Sequence, residues 1–321
     1  MSKRKRLLIT RRLTDEVEAR AARDYEVVLN PDDHVMSPAE LGEAVRDVDA
    51  ALICITEKFD AALIAALPER FEVLSTFSVG TDHIDLEAAQ AKGLRVGSAP
   101  HGVTVGTAEI AMLLILGAAR RAPEGERLMR SGTWGGWQPL ELLGSRLDGK
   151  RLAILGLGKI GRALARRARG FDMEIHYHNR HPLPDDLALG AVYHPSFESL
   201  LGVADVLSLN APSTPETRHI LNAEAIARLP DRAIVVNTAR GDLIDDEALI
   251  AALRSGRVAY AGLDVYEGEP AIAPAYRELD NTFLLPHLGS AAIEARNQMG
   301  FEALDNIDAV FAGREMPYRV V

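Results

Sequence analysis

Residues 151–170 read RLAILGLGKIGRALARRARG. An apolar strand, Leu152–Leu155, runs into Gly156-Leu157-Gly158-Lys159-Ile160-Gly161, and a helix with arginine at its exposed positions follows over Lys159–Arg169. A G-x-G-x-x-G string alone is weak evidence. With a strand before it and a helix after it, the string reads as the turn that binds a dinucleotide. Gly156 allows the tight turn, Gly158 lets the backbone approach a pyrophosphate, and Gly161 permits close packing of helix on strand. The helix N-terminus offers free N–H groups and the positive end of its dipole to the phosphates.

Working outward, strands are expected at Leu152–Leu155, Glu174–His178, Val206–Leu209, Ala233–Asn237, Gly262–Val265 and Thr282–Leu285. They alternate with helical stretches near Lys159–Arg169, Ala223–Leu229 and Asp245–Ser255, and six such strands match the doubly wound dinucleotide fold. The first hundred residues follow the same plan, with strands at Arg6–Thr10, Tyr25–Leu29, Ala50–Ile55, Val73–Ser78 and Arg95–Gly97. Helical composition separates them at Thr14–Arg23, Pro38–Val45, Asp60–Leu67 and Leu86–Lys92. Between the halves lie a long helical pattern, His101–Arg130, and a Gly- and Trp-bearing stretch, Ser131–Gly144, with neither period. The closing stretch, Ser290–Ala312, is helical and is expected to pack back on the first domain. The fold class is therefore α/β, with two doubly wound Rossmann-like domains. The first, discontinuous domain spans 1–100 plus 289–321, and the dinucleotide-binding domain spans 101–288, with the long helix and arm at about 102–148.

Bulk properties narrow the function. A chain of 321 residues exceeds one typical core, and 47% hydrophobic with 26% charged residues fits a soluble globular protein. A net charge of −10 argues against a nucleic-acid or anionic-membrane surface. The basic start, Lys3-Arg4-Lys5-Arg6, reads as the solvated flank of the first strand, with no apolar stretch of signal-peptide length behind it. The longest apolar stretch, near Ile110–Ala119, is too short to span a bilayer. Cys54 is the sole cysteine, so neither an internal disulfide nor a thiolate metal cage can form. A cytoplasmic location follows as the expectation.

Chemistry gathers at three strand ends of the second half, the edge where such sheets bind ligands. Asn237-Thr238-Ala239-Arg240-Gly241 follows one strand, Asp264-Val265-Tyr266-Glu267-Gly268-Glu269-Pro270 the next, and Pro286-His287-Leu288-Gly289-Ser290 the last. Each residue has a blander use: Arg240 as a helix cap or partner of Asp242, Glu267 or Glu269 as a solvated turn acid, His287 as a satisfied strand-end histidine. Jointly they meet the needs of reducing a 2-oxo acid. Hydride delivery to a carbonyl carbon develops negative charge on oxygen, which wants a proton donor titrating near neutrality, and His287 fits. A carboxylate on the other ring nitrogen fixes the tautomer, and Glu269 is chosen for it over Glu267. A planar guanidinium grips carboxylate and carbonyl oxygens together, which suits Arg240. No metal is required.

The motifs SVGTDHID (Ser78–Asp85), GLGKIG, LNAPSTPETRHI (Leu209–Ile220), NTARG, DVYEGEP and PHLGSA resemble those of the D-2-hydroxyacid dehydrogenase family over nearly the whole chain. Within it the chain looks most like glyoxylate/hydroxypyruvate reductases and glycerate dehydrogenases. The resemblance implies Arg240 as substrate anchor, Glu269 as partner of His287, and His287 as acid/base. It implies that the Val79 and Gly80 amides bind the substrate carboxylate across an interdomain cleft. It adds Ala211, Pro212, Thr217, Thr238, Ala239, Asp264 and Gly289 to the cofactor contacts of Gly156–Gly161. It also implies a homodimer built on the long helix and arm, with Trp137 reaching the partner's substrate pocket or serving as an ordinary interface aromatic.

The chain departs from the NAD-binding pattern at the second strand of this half. That strand, EIHYH, ends in Asn179-Arg180-His181, about 18 residues beyond Gly161, where an acid is expected to bond the ribose hydroxyls. Asp172 lies at the wrong end of the strand. Losing the acid removes repulsion against a 2′-phosphate, and Arg180 can pair with one. NADP(H) is therefore the expected cofactor, with NAD(H) second. Other readings keep the fold: 3-phosphoglycerate or a bulkier 2-oxo acid as substrate with NAD, or a nucleotide-sensing protein akin to the family's corepressors. No basic cluster beside Ser78–Asp85 favours a phosphorylated substrate, and the chain is expected to lack the regulatory domain of many phosphoglycerate dehydrogenases. Formate oxidation is disfavoured, since that branch carries Gln in place of Glu beside the histidine. The expected partner is a small 2-oxo or 2-hydroxy acid, with neither nucleic acid nor membrane.

Overall fold

A computed structural model describes residues 4–321, so Lys3 lies outside the described residues. The chain folds as two compact units, residues 4–103 with Ser290–Val321, and Thr104–Gly289. In the first, β1 (Arg6–Ile9), β2 (Glu26–Leu29), β3 (Ala50–Ile53), β4 (Val73–Thr76) and β5 (Arg95–Gly97) form a parallel sheet in the order β2-β1-β3-β4-β5. Both faces are buried, as the unbroken apolar strands require. Leu7, Ile9, Leu52 and Val73 pack with Val17, Ala21, Met299, Ala303, Leu304 and Ile307. Leu8, Ala51, Ile53, Leu74 and Val96 face the opposite side, with Leu41, Phe59, Ile64 and Ala89. Each fully buried leucine among them contributes about 1.5–3 kcal/mol of transfer free energy. The helix Ile293–Phe311 lies against β3, β4 and the helix Asp15–Asp24, so the chain's end completes the unit in which its beginning folds.

At the β1/β3 position of this sheet Glu57 is buried. Its carboxylate accepts from the Thr10 hydroxyl (2.7 Å), the Thr56 hydroxyl (2.7 Å) and the Cys54 N–H (3.2 Å). Burial, reinforced by the charge of Glu57, pushes the neighbouring Cys54 thiol up to about 12, so it stays a thiol at neutral pH.

The second unit holds β6 (Arg151–Leu155), β7 (Glu174–His178), β8 (Val192–Tyr193), β9 (Val206–Leu209), β10 (Ala233–Asn237), β11 (Val258–Leu263) and β12 (Thr282–Leu284). All are parallel, in the order β12-β11-β10-β9-β6-β7-β8. Alternate residues of β6 again face opposite cores: Leu152 and Ile154 meet Leu114, Ile115 and Leu164, while Ala153 and Leu155 meet Leu200, Leu207 and Leu221. The doubly wound α/β architecture is the one expected.

Three local expectations are corrected. The sheet has seven strands, because the two-residue edge strand β8 is too short to leave a periodic signal. Strand β11 covers Val258–Leu263, in place of the expected Gly262–Val265; it begins two residues after the left-handed Gly256 that ends the helix Asp246–Ser255, and Asp264 and Val265 lie beyond its end. The long pattern over His101–Arg130 is two helices, Val103–Ala119 and Ala122–Ser131, bent by 69°. The break follows from Pro123: it donates no N–H to the Ala119 carbonyl four residues back and its ring would clash there, so it is tolerated only in the first turn of a new helix, and Arg121 before that helix takes a left-handed φ of 54°. Short helices at Asp185–Ala188, Phe197–Leu201 and Ala275–Glu278 also went unexpected. Residues 132–150 form neither helix nor strand. Among the described residues no single helix is long and apolar enough to cross a membrane.

Candidate active site

Sheet order explains the site. Strands β10, β11 and β12 are adjacent and parallel, so the segments leaving their carboxyl ends begin side by side although they are distant in sequence. After β10, the buried Asn237 shapes the turn that carries Arg240: its Oδ1 accepts the Ala239 N–H (3.0 Å) and its Nδ2 donates to the Arg240 carbonyl (2.8 Å). The Arg240 guanidinium donates to its neighbour's carbonyl, Ala239 O, at 2.8 Å. Glycine is obligatory next, since a Cβ on Gly241 would stand 1.8 Å from the Tyr266 carbonyl carbon. The arginine turn therefore packs directly on the backbone of the next segment.

That segment supplies Glu269. One carboxylate oxygen accepts the Tyr266 N–H at 2.8 Å, and the other meets Nδ1 of His287 at 2.9 Å. Partial burial alone would raise the Glu269 carboxyl. The His287 hydrogen bond and charge, the Tyr266 N–H and the Arg240 charge outweigh it and hold the group below the usual carboxylate range. An ionised carboxylate only accepts, so Nδ1 carries a proton and Nε2 is the ring atom left for exchange. His287 itself sits at a left-handed φ of 56°. Behind it, Asp264 is almost wholly buried, and its two oxygens accept the Leu288 N–H (2.6 Å) and Gly289 N–H (2.8 Å). Burial pushes the Asp264 carboxyl up, while those two N–H groups and the His287 charge oppose the rise.

Glu267 takes a different task from Glu269. It binds Arg218 Nη2 (2.5 Å) and His219 Nε2 (2.8 Å), tying the β11 segment to residues 210–220, and these contacts hold its carboxyl low. Sequence gave no means of seeing that Arg218 and His219 were its partners. The structure thus puts Glu269, not Glu267, on His287.

The dinucleotide turn has its expected shape. Gly156 has φ +95°, and a Cβ there would meet the Asn210 carbonyl at 2.8 Å; one on Gly161 would lie 2.4 Å from Gly156 O. A Cβ on Gly158 would meet nothing within 4 Å, which leaves open space beside the first helical turn, where Lys159, Ile160 and Gly161 present their N–H groups. Thr238 Oγ1 is buried without a hydrogen-bond partner among the described residues. A buried orphan hydroxyl at the carboxyl end of a strand and the open space beside Gly158 both fit a bound dinucleotide.

Some expected contacts are placed differently. The Leu157 N–H is occupied by the Asn179 side-chain oxygen (2.7 Å) and its side chain is core, so it braces the turn. The Thr217 hydroxyl closes its own loop, donating to Pro212 O at 2.7 Å and accepting the Thr214 N–H at 2.8 Å. Ala211 is buried, Ala239 half-buried, Pro212 exposed, and Gly289 buried against Asp264. Arg180 is exposed at the end of β7, close enough for its charge to help lower the Glu216 carboxyl, after the larger effects of Thr214 and the local backbone. Trp137 is 82% exposed. In the other unit, Val79 and Gly80 follow β4, Val79 being exposed. Among the described residues the N–H groups of Val79, Gly80 and Thr81 donate to no protein acceptor, and Thr81 is an addition to the expected pair.

Residues 112–289 match the model of the D-isomer specific 2-hydroxyacid dehydrogenase, NAD binding domain. Glycerate dehydrogenase of Hyphomicrobium methylovorum is 53% identical over 320 residues, covering 99% of each chain. This chain belongs to the D-isomer specific 2-hydroxyacid dehydrogenases. A further relative, the glyoxylate reductase of Thermococcus onnurineus, is 39% identical over 98% of this chain and 95% of its own. Among solved structures, the NADPH-dependent glyoxylate/hydroxypyruvate reductase of Sinorhizobium meliloti, in complex with NADP and malonate, superposes with a TM-score of 0.88. It is 33% identical and covers 99% of this chain and 97% of its own.

Proposed function

We propose that this dehydrogenase reduces glyoxylate or hydroxypyruvate to the 2-hydroxy acid with NADPH. The observation that carries the reading is the His287–Glu269 pair, with the Arg240 charge upon it, at the ends of adjacent strands. Relatives named for glyoxylate and for glycerate, the 2-hydroxy acid of hydroxypyruvate, support the substrate class. The unit of residues 4–103 and Ser290–Val321 is the substrate domain, and Thr104–Gly289 the dinucleotide domain. Residues Gly158–Gly161 hold the pyrophosphate and Thr238 the nicotinamide end. When bound, the dinucleotide supplies the hydride. The Val79 and Gly80 amides serve as donors to a substrate carboxylate; Arg240 grips substrate oxygens and polarises the carbonyl, and His287 gives its Nε2 proton to the carbonyl oxygen as negative charge develops there. Oxidation of NADPH on adding hydroxypyruvate tests the assignment; no loss of absorbance with a panel of 2-oxo acids would end it.

The NADPH preference rests on Asn179 and Arg180 standing where an acid would repel the 2′-phosphate. Efficiency, as kcat/KM, is expected to be higher with NADPH than with NADH. The pair Asn179→Asp with Arg180→Ala should reverse the order. An aspartate still accepts the Leu157 N–H, so the turn survives that exchange. Higher wild-type efficiency with NADH would overturn the preference.

The chain works as a homodimer. Met129, Trp137, Leu140 and Leu143 are large apolar side chains, all exposed, on one helix end and the irregular segment after it. Such a grouping marks a surface that another protein covers. Light scattering should return twice the chain mass of 34.8 kDa, and a monomer at assay concentration would contradict it.

A further inference from the structure

The segment after β4 carries a polar chain whose direction can be worked out. Ser78 Oγ lies 2.6 Å from the Gly80 carbonyl oxygen, which can only accept, so the single hydroxyl proton of Ser78 points there. Thr76 Oγ1, 2.7 Å from Ser78 Oγ, must then be the donor in that contact. Its own proton thus placed, Thr76 can only accept from Nε2 of His83, 2.9 Å away. The order is therefore His83 Nε2–H to Thr76, Thr76 to Ser78, Ser78 to the Gly80 carbonyl. Thr76 is fully buried and Ser78 nearly so, so water does not compete for these bonds.

The chain ends on the Gly80 carbonyl, whose peptide carries the Thr81 N–H, directly after the Val79 and Gly80 N–H groups that the proposed function assigns to the substrate carboxylate. The backbone around them is pinned: Ser78 O accepts the Ala99 N–H (2.8 Å), Thr81 O the Ile84 N–H (2.9 Å), and His83 O the Phe59 N–H (2.8 Å). Within that frame three successive N–H groups, of Val79, Gly80 and Thr81, find no protein acceptor among the described residues. Adjacent unsatisfied N–H groups make an anion site when their orientation is fixed. A hydrogen bond into the Gly80 carbonyl fixes the plane of the 80–81 peptide and polarises it, making its N–H a stronger donor.

We infer that His83 is a positioning residue for the substrate carboxylate, acting through the Thr76 and Ser78 hydroxyls on the Val79–Thr81 amides. The inference rests on the reading of Val79 and Gly80 as carboxylate donors. Because the effect is on anion binding, it appears in KM and leaves the chemical step alone. The test compares His83→Leu, His83→Gln and Ser78→Ala, reading steady-state glyoxylate reduction and the calorimetric dissociation constant for oxamate, an unreactive analogue. In His83→Leu and Ser78→Ala both KM and the oxamate constant should rise about tenfold, the effect of one polar contact. Over the same variants kcat should stay within about twofold, and NADPH affinity should not change. His83→Gln, whose terminal amide N–H reaches about as far as the imidazole Nε2, should recover most of the loss. Unchanged KM and oxamate binding in His83→Leu, or a glutamine variant as impaired as the leucine one, would overturn the inference. A wild-type protein that reduces no 2-oxo acid yet binds oxamate in a His83-dependent way would end the proposed function and leave the relay standing. Absence of oxamate binding would end both.

Discussion

His287→Ala is expected to lower kcat for 2-oxo acid reduction by about 10²- to 10⁴-fold, the range for removing a positioned proton donor. The argument starts from Glu269. With one oxygen on the Tyr266 N–H and the other on Nδ1 of His287, the carboxylate has one orientation, and so has the ring it holds. The geometry hands the exchangeable proton to Nε2. Alanine removes the donor but leaves the Leu288 and Gly289 N–H bonds to Asp264, which run through the backbone. NADPH affinity is therefore expected to remain close to wild type while turnover collapses. Single-turnover absorbance at saturating NADPH reads the chemical step directly; a near-normal rate would take His287 out of the reaction.

The second large effect is at Arg240. Arg240→Lys should lower kcat/KM by at least about 10²-fold, the cost of losing one well-placed donor to a developing oxyanion. The change keeps the charge, so the loss isolates geometry. A guanidinium holds two oxygens in one plane and can still donate to Ala239 O, as Nη1 does at 2.8 Å; an ammonium is a point donor on a flexible stem. The turn itself should survive, because Asn237 holds Ala239 and the Arg240 carbonyl through backbone atoms. Arg240→Ala with guanidine added to the assay offers the converse check, and rescue by guanidine but not by methylamine is the expected pattern. Retention of efficiency in Arg240→Lys would contradict the two-point grip.

Much of this is legible in the sequence because the signals are local. The strand–glycine–helix run at 151–170 specifies its own geometry: Gly156 must reach φ +95°, and no other residue type does so at so little cost. The short apolar runs that form the strands, buried on both faces, likewise need only nearest neighbours. Boundaries failed where local signals cancel. The two residues of β8 carry no period, and the helical pattern across Arg120–Arg121 concealed a 69° bend that Pro123 imposes. Partners failed for another reason. That Leu157 donates to Asn179, or that Glu267 meets Arg218 and His219, depends on which loops the sheet sets side by side.

By itself the sequence determined the two α/β halves, the dinucleotide turn and the candidates Arg240, Glu269 and His287, since residue type and short spacing settle local backbone form. Only the tertiary structure decided that Glu267 is held by Arg218 and His219, and which way the protons run from His83 to Gly80. Those outcomes depend on strand order and on distances of a few tenths of an ångström between segments far apart in the chain, where hydrogen bonds are made or lost.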